Sequence, residues 1–551
     1  MPNCRPRAPH KIVFRRFLVL FLAAFLAFAT SAAAQTPAEN IDTQAISRIR
    51  EMALNHSEIK DTVEYLSDVC GPRLTGSPNL KRAQEYAKGK LAEWGLANAH
   101  LEPWGPFGRG WSLEGFTANV LAPAFSPLIA IPKAWSPGTN GTIRGEPVFL
   151  DVKAPADLEK YRGKLRGKIV LFAPERHVEP LFEKQKERQS DADLLALANA
   201  PAPVPGVPFQ FTPEQRVAEA LNFAKWQLVQ SEGAAVILQP AYRDGGTVYV
   251  TAATVPQPPE VPFEQRPHAY DIAPHGILPQ AVVSAEQYNR LVRLISHGVP
   301  VQLEINIAVH FYDGDAMSAN VIGEIPGTDL KDQIVMIGGS LDSWHAGTGA
   351  TDNAVGAATA MEAVRIIQEL GLRPRRTIRI GLWSAEEQGT LGSHAYVAAH
   401  FGRKIPTPPG SSAAARFEFQ PEYEKLAGYF NLDYGTGRIR GVYLQGNEAV
   451  RPIFRAWLAP FNDLGASTLS LANIGATDHI PFDEIGLPAF QFLRDYVEGG
   501  PGKEAAHTNM DLFDHILEDD LKQSAAVAAS FIYNLAMRDA PLPRKHADVL
   551  K

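Results

Sequence analysis

The sequence predicts an α/β fold: a mostly parallel, mixed sheet flanked by helices, with a second α/β unit inserted into it. Three observations predict it. First, the apolar run IVMIGGSLDSW (334–344) precedes the helix-periodic GTGATDNAVGAATAMEAVRIIQELG (347–371), and RTIRIGLWSAEEQGTLGSHAYV (376–397) then begins with a second apolar run. That is a βαβ unit with polar groups gathered at the carboxyl ends of its strands, where open α/β sheets place their sites. Second, the α/β alternation continues from Phe311 to about residue 537. Third, residues 126–310 are rich in Pro and Gly yet contain short apolar strands of their own, which marks an inserted domain rather than a linker.

The elements follow in order. Ala45, Ile46, Ile49, Met52 and Ala53 form a helical stripe over 42–56, and a second short helix is expected over 57–68. Ser77-Pro78 supplies an N-cap and an N1 proline. Leu80, Ala83, Ala87, Leu91 and Trp94 then share one helix face, and Gly95 ends it. Strand-like runs follow around 100–103 and 116–121. Within the insert, RGKIVLF (166–172) and GAAVIL (233–238) read as strands, and the proline-dense stretches 200–210 and 254–267 read as irregular loops. The main body is therefore expected over 41–125 and 311–540, the insert over 126–310, and a loose tail over 541–551.

The first 34 residues differ from the rest. Arg5, Arg7, Lys11, Arg15 and Arg16 precede an apolar stretch, Phe17 to Phe28, and Ala32-Ala33-Ala34 provides a cleavage site. This is the pattern of a secretory signal peptide, which predicts export to a periplasmic or extracellular space with no stable membrane insertion after cleavage. Removing those five basic residues takes the net charge from −7 to about −12. So acidic a chain lacks the basic footprint that nucleic-acid binding needs. Only Cys70 would remain, so an internal disulfide is excluded, and a buried apolar role is expected for it.

Asp352 lies in a Gly-rich loop before a helix, where it could equally be an N-cap. Ser384-x-x-Glu387 could equally be a capping box. Asp433 in YFNLDYGTG (429–437) follows another apolar strand, and His507 in HTNMD (507–511) sits in a loop. Taken together, three carboxylates and an imidazole fall after successive strands, a ligand set suited to zinc. His268 and His275 lie in Pro-rich loops and read as solvated.

The runs TVEYLSDVCGPRLTGSPN (62–79) and EPWGPFGRGW (102–111), with TDN, AEEQGxxGS, NLD, TDHxPF and HTNMD in that order over 334–522, resemble the carboxypeptidase Q family. These are co-catalytic zinc exopeptidases related to bacterial leucyl aminopeptidases. The resemblance implies the zinc exopeptidase fold, with the insert similar to a protease-associated domain. It implies that Asp352 bridges two zinc ions, that Glu387 and His507 complete one site, that Asp433 serves the other, and that Glu386 is the general base. It also implies short peptides as substrates, as an aminopeptidase or dipeptidase; homodimerisation is left open.

One position departs from the family pattern. Where the family has the histidine of an H-x-D pair, this chain has Ser340, with Asp342, which would orient that ligand, retained. A hydroxyl is a poor zinc ligand, so one tight zinc rather than two is expected, with attenuated activity. His345, five residues on, is the candidate replacement. Asp478 and His479 match a wall of the family's site. Gly499 and Ala506 stand where the family often has Tyr and His, which bears on substrate contacts. The rival reading is a binding or scaffold protein on a decayed peptidase fold.

Overall fold

Four adjacent parallel strands form the middle of the main sheet. The computed structural model describes residues 39–178, 188–203, 211–262, 265–273, 276–406, 415–495 and 505–545. The strands are β1 (Ala97–Trp104), β2 (Ser318–Ile325), β3 (Leu330–Ser340), β4 (Arg376–Trp383), β5 (Leu426–Asn431), β6 (Ile439–Tyr443), β7 (Thr468–Ser470) and β8 (Ala489–Arg494). Their order is β1-β2-β4-β3-β5-β8-β6-β7, with β4, β3, β5 and β8 parallel to their neighbours within that group. β1, β2 and β4 pair antiparallel, as do β8 and β6.

Both faces of this sheet are covered, which explains why its strands are continuously apolar rather than alternating. Val335, Ile337 and Phe430 join one core with the helices α1 (Thr43–Asn55), α2 (Pro78–Glu93), α3 (Val355–Glu369) and α5 (Glu518–Met537). Their sequence neighbours Ile334, Met336 and Tyr429 join a second core with α4 (Leu391–His400). α5 is buried at almost every position from Asp520 to Ala536 because α1, α3 and the sheet enclose it. The predicted helix starts hold: Ser77 Oγ accepts from the Leu80 amide at 3.2 Å, with Pro78 at the first position. Cys70 is buried, as expected.

The insert has its own five-stranded sheet, in the order Ala130–Pro132, Gln280–Val283, Val236–Pro240, Ile169–Leu171 and Val148–Phe149. Its expected edge at 125 falls just after the strand Gly110–Ala122, and the one at 310 falls inside the strand Gln302–Tyr312. The long strands Gly110–Ala122 and Gln302–Tyr312 pair antiparallel and bridge the two parts. No helix among the described residues is long and apolar enough to cross a membrane. The signal-like segment, residues 204–210 of one proline-dense loop and 263–264 of the other lie outside the described residues.

The tail is a correction. Residues 541–545 are anchored: Leu542 is buried and its amide donates to Ala427 O at 3.1 Å, while Lys545 pairs with Asp483. Burial of one leucine and pairing of one lysine outweigh the lack of periodicity in APLPRK. Residues 546–551 lie outside the described residues.

At the end of α4, His400 Nε2 lies 2.8 Å from Glu102 and its ring stacks on Tyr396 at 4.3 Å. The hydrogen bond to Glu102 holds the imidazole above its ordinary value, against desolvation. A raised folded value gives stability that is complete below the unfolded imidazole value of about 6.5 and is lost as pH rises through the folded one. His400→Gln should therefore destabilise by roughly 1 kcal/mol or less at about pH 5.5, and less at about pH 9. Calorimetric melting at both pH values checks this; an equal effect at both would contradict it.

Candidate metal centre

The candidate residues sit on the loops that leave the parallel strands. β3 ends at Ser340, β4 at Trp383 and β5 at Asn431, so Asp342, Glu386, Glu387 and Asp433 all follow strand ends. Asp352 lies in a tight turn (Ala350–Ala354) before α3 and makes no N-cap bond; Asn353 instead accepts from the Gly356 amide at 3.0 Å. The Ser384–Glu387 capping box does not form either. α4 starts only at Leu391, and Ser384 Oγ is taken by Trp104 Nε1 and Ala319 O. Freed from capping, Asp352 and Glu387 turn to the same point.

There they meet His507. Its Nε2 lies 3.1 Å from Asp352 Oδ2 and 2.9 Å from Glu387 Oε2, and the three donor atoms lie within 4.8 Å of one another. Ligand atoms around a tetrahedral ion with bonds of about 2.0–2.1 Å stand roughly 3.3 Å apart. The group is thus close to a metal-holding geometry without rearrangement. Glu387 is almost fully buried, whereas Asp352 and His507 are about a quarter exposed, which leaves a side open to solvent.

Charge favours a cation here. Burial, reinforced by Asp352, pushes the Glu387 carboxyl up to about 8 despite His507. Burial, with Asp433 and Asp478 next, pushes Glu386 well above the usual carboxylate range. Burial and then Asp352 lift Asp433 to about 6 and Asp511 to about 7. Burial opposes charge on His507, but Glu387 and Asp352 outweigh it and raise the imidazole well above its ordinary value. Carboxylates crowded out of water need a positive partner to stay ionised.

The supporting contacts were only partly foreseeable. Asp342 accepts from the amides of Glu386 (3.0 Å) and Glu387 (3.4 Å) and from Thr75 Oγ1 (3.0 Å). Arg73, fully buried, donates to Leu341 O, Thr348 O and Gly349 O, which ties the loop before Asp352 to the end of β3. Asp511 takes the Thr351 amide and hydroxyl at 2.6 and 2.8 Å. The sequence offered a signal for Asp511, in HTNMD, but none for Tyr249 of the insert, whose hydroxyl lies 3.1 Å from His507 Nδ1.

Asp433 stands apart from the three-donor group, buried on a chain of side-chain bonds. Trp383 donates to Tyr429, Tyr429 to Asn431 and Asn431 to Gln491, which in turn donates to Asp433 O. Ser340 Oγ accepts from Asn353 Nδ2 at 3.0 Å. His345 does not join the group. Its Nε2 is bonded to Pro132 O at 2.8 Å, its ring meets Trp111 edge-on, and burial lowers it to about 4. Asp478 is fully buried and accepts from Ser393 at 2.6 Å. His268 is exposed and stacks on Tyr270. Gly499 and His275 lie outside the described residues.

An open α/β sheet with two carboxylates and an imidazole converging beyond its strand ends, and further acids beside them, defines a metal-dependent hydrolase. The model of peptidase family M28 matches residues 320–532. The chain is homologous to human carboxypeptidase Q, with 26% identity over 494 residues that cover 88% of this chain and 86% of the relative. A peptidase M28 precursor from Shewanella amazonensis shares the fold with a TM-score of 0.61 at 23% identity, covering 91% of this chain and 98% of that one. A zinc aminopeptidase from Bacillus subtilis matches at a TM-score of 0.50 and 17% identity, covering 86% and 94%.

Proposed function

We propose that the protein is an exported zinc exopeptidase, an aminopeptidase or dipeptidase acting on short peptides. The observation that carries this reading is the convergence of Asp352, Glu387 and His507 inside the peptidase family M28 region. Those three side chains would hold a zinc ion, which supplies Lewis acidity to the water and to the scissile carbonyl. Glu386 is the general base. Its carboxylate takes a proton from the attacking water; as the C–N bond breaks, that proton passes to the leaving amine. Burial among Asp433, Asp478 and Glu387 suits it to hold a proton between those two moments. The insert, of protease-associated type, shapes access to the site.

Asp433, its share of Asp352 and the Ser340 hydroxyl make a poor second zinc site. The Ser340 hydroxyl is already engaged by Asn353, and carboxylates alone prefer a harder ion. One tightly held zinc per chain and attenuated turnover follow. The same serine is the one observation that favours the rival reading, a binding protein on a decayed peptidase fold.

Three outcomes are expected. Glu386→Gln should abolish dipeptide hydrolysis with bound metal retained, whereas Glu387→Gln should lose metal; metal analysis of both proteins separates base from ligand. Ser340→His should raise bound zinc from one to two per chain and increase turnover, because the chain retains Asp342, the expected partner of the new imidazole. Two tight zinc ions in the unaltered protein would contradict the single-site reading, and inactivity of both forms on a dipeptide panel would favour the binding protein. Sequencing the amino terminus of the secreted form should find Gln35 first; an intact Met1 on a cytosolic protein would refute export.

A further inference from the structure

We infer that Tyr249, from the insert, is a positioning residue for His507, so that the insert completes the metal centre rather than merely covering it. The assignment rests on the zinc reading above. His507 has its Nε2 turned to Asp352 and Glu387 and its Nδ1 turned to the Tyr249 hydroxyl at 3.1 Å. An imidazole that offers its Nε2 lone pair to a metal must carry its proton on Nδ1, and a partner for that proton fixes both tautomer and ring angle. The tyrosine oxygen is that partner and acts as acceptor.

The backbone brings the two together. Tyr249 and Thr508 form an antiparallel bridge; the Val250 amide donates to His507 O at 2.9 Å, and the Val248 amide donates to Asn509 Oδ1 at 2.8 Å. His507 itself has φ +60, a left-handed conformation that a non-glycine residue keeps only where its surroundings hold it. Those surroundings include the bridge from the insert, the Tyr249 ring at 5.4 Å and the Trp344 ring at 6.0 Å. The main body holds the far end of the HTNMD segment, where Asp511 takes the Thr351 amide and hydroxyl, and the bridge to Tyr249 holds its His507 end.

The test is a zinc titration of the metal-free full chain against a competing chelator, paired with thermal melting of the metal-free form. Tyr249→Phe keeps the ring and removes only the oxygen. It should weaken zinc binding about 10–100-fold, the usual effect of losing a ligand's orienting partner, with unchanged melting of the metal-free protein. Asn509→Ala loosens the bridge but leaves the hydroxyl; it should lower the melting temperature and cost zinc affinity less than Tyr249→Phe does. Unchanged zinc affinity in Tyr249→Phe overturns the assignment. So does an equal loss in both variants, which would make the bridge and not the hydroxyl responsible, and so does a Tyr249→Phe chain that fails to fold. If the unaltered protein binds no zinc, the zinc reading falls as well, which separates the two failures.

Discussion

The site is held by the buried carboxylate of Asp342. It accepts the two amides of the Glu386–Glu387 turn and the hydroxyl of Thr75, so one side chain at the end of β3 fixes the end of β4 and the loop before α2. Hydrogen bonds to a carboxylate in a dry interior are strong, and leaving such a group unpaired is costly. The turn that aims Glu387 at His507 is therefore set by a residue outside the three-donor group. Arg73 does the same for Asp352 through three backbone carbonyls. Between them, these two buried groups convert strand ends into a rigid frame.

Within that frame the balance of charge is unusual. Asp342, Asp352, Glu386, Glu387, Asp433, Asp478 and Asp511 crowd together, with Arg73, Arg494 and His507 as the nearby positive groups. Burial alone would drive several of these acids to their neutral forms. A cation at the open side relieves that tension, and the departure at Ser340 matters for the same reason. Under the proposed reading, Ser340 would put a neutral hydroxyl, already engaged by Asn353, where a nitrogen ligand would serve the half of the site near Asp433.

Much of the fold was legible because apolar runs that end in Gly-rich loops leave few alternatives. IVMIGG, RTIRIGLW and YFNLD became adjacent parallel strands, and Ser77-Pro78 began a helix where expected. Asp352, Glu387 and His507 drew attention through their place after apolar strands and through family resemblance, and the fold brings the three together. What could not be read depends on contacts between distant segments. His345 stands in the right loop but is drawn away by Pro132 O, an acceptor contributed by the insert. Leu542 is buried although nothing near it is periodic, because its pocket is built by Ala427, Gly428 and Leu535. Tyr249 lies in a stretch with no motif, and only the bridge to Thr508 gives it a role.

The pairing of β1 has a bearing on how the chain assembles. β1 ends at Trp104, and its partner within the main sheet is β2, which begins at Ser318; the whole insert is synthesised between them. The insert's five-stranded sheet draws its strands from Ala130 to Val283, so all of its pairings become available while β1 still has an open edge. An unpaired strand edge is a hazard in a growing or translocating chain. Gly110–Ala122, which follows β1, pairs with Gln302–Tyr312, and both strands precede β2 in the chain. In the folded chain that pairing brings the flanks of the insert together, so that β2 follows it in sequence and lies beside β1.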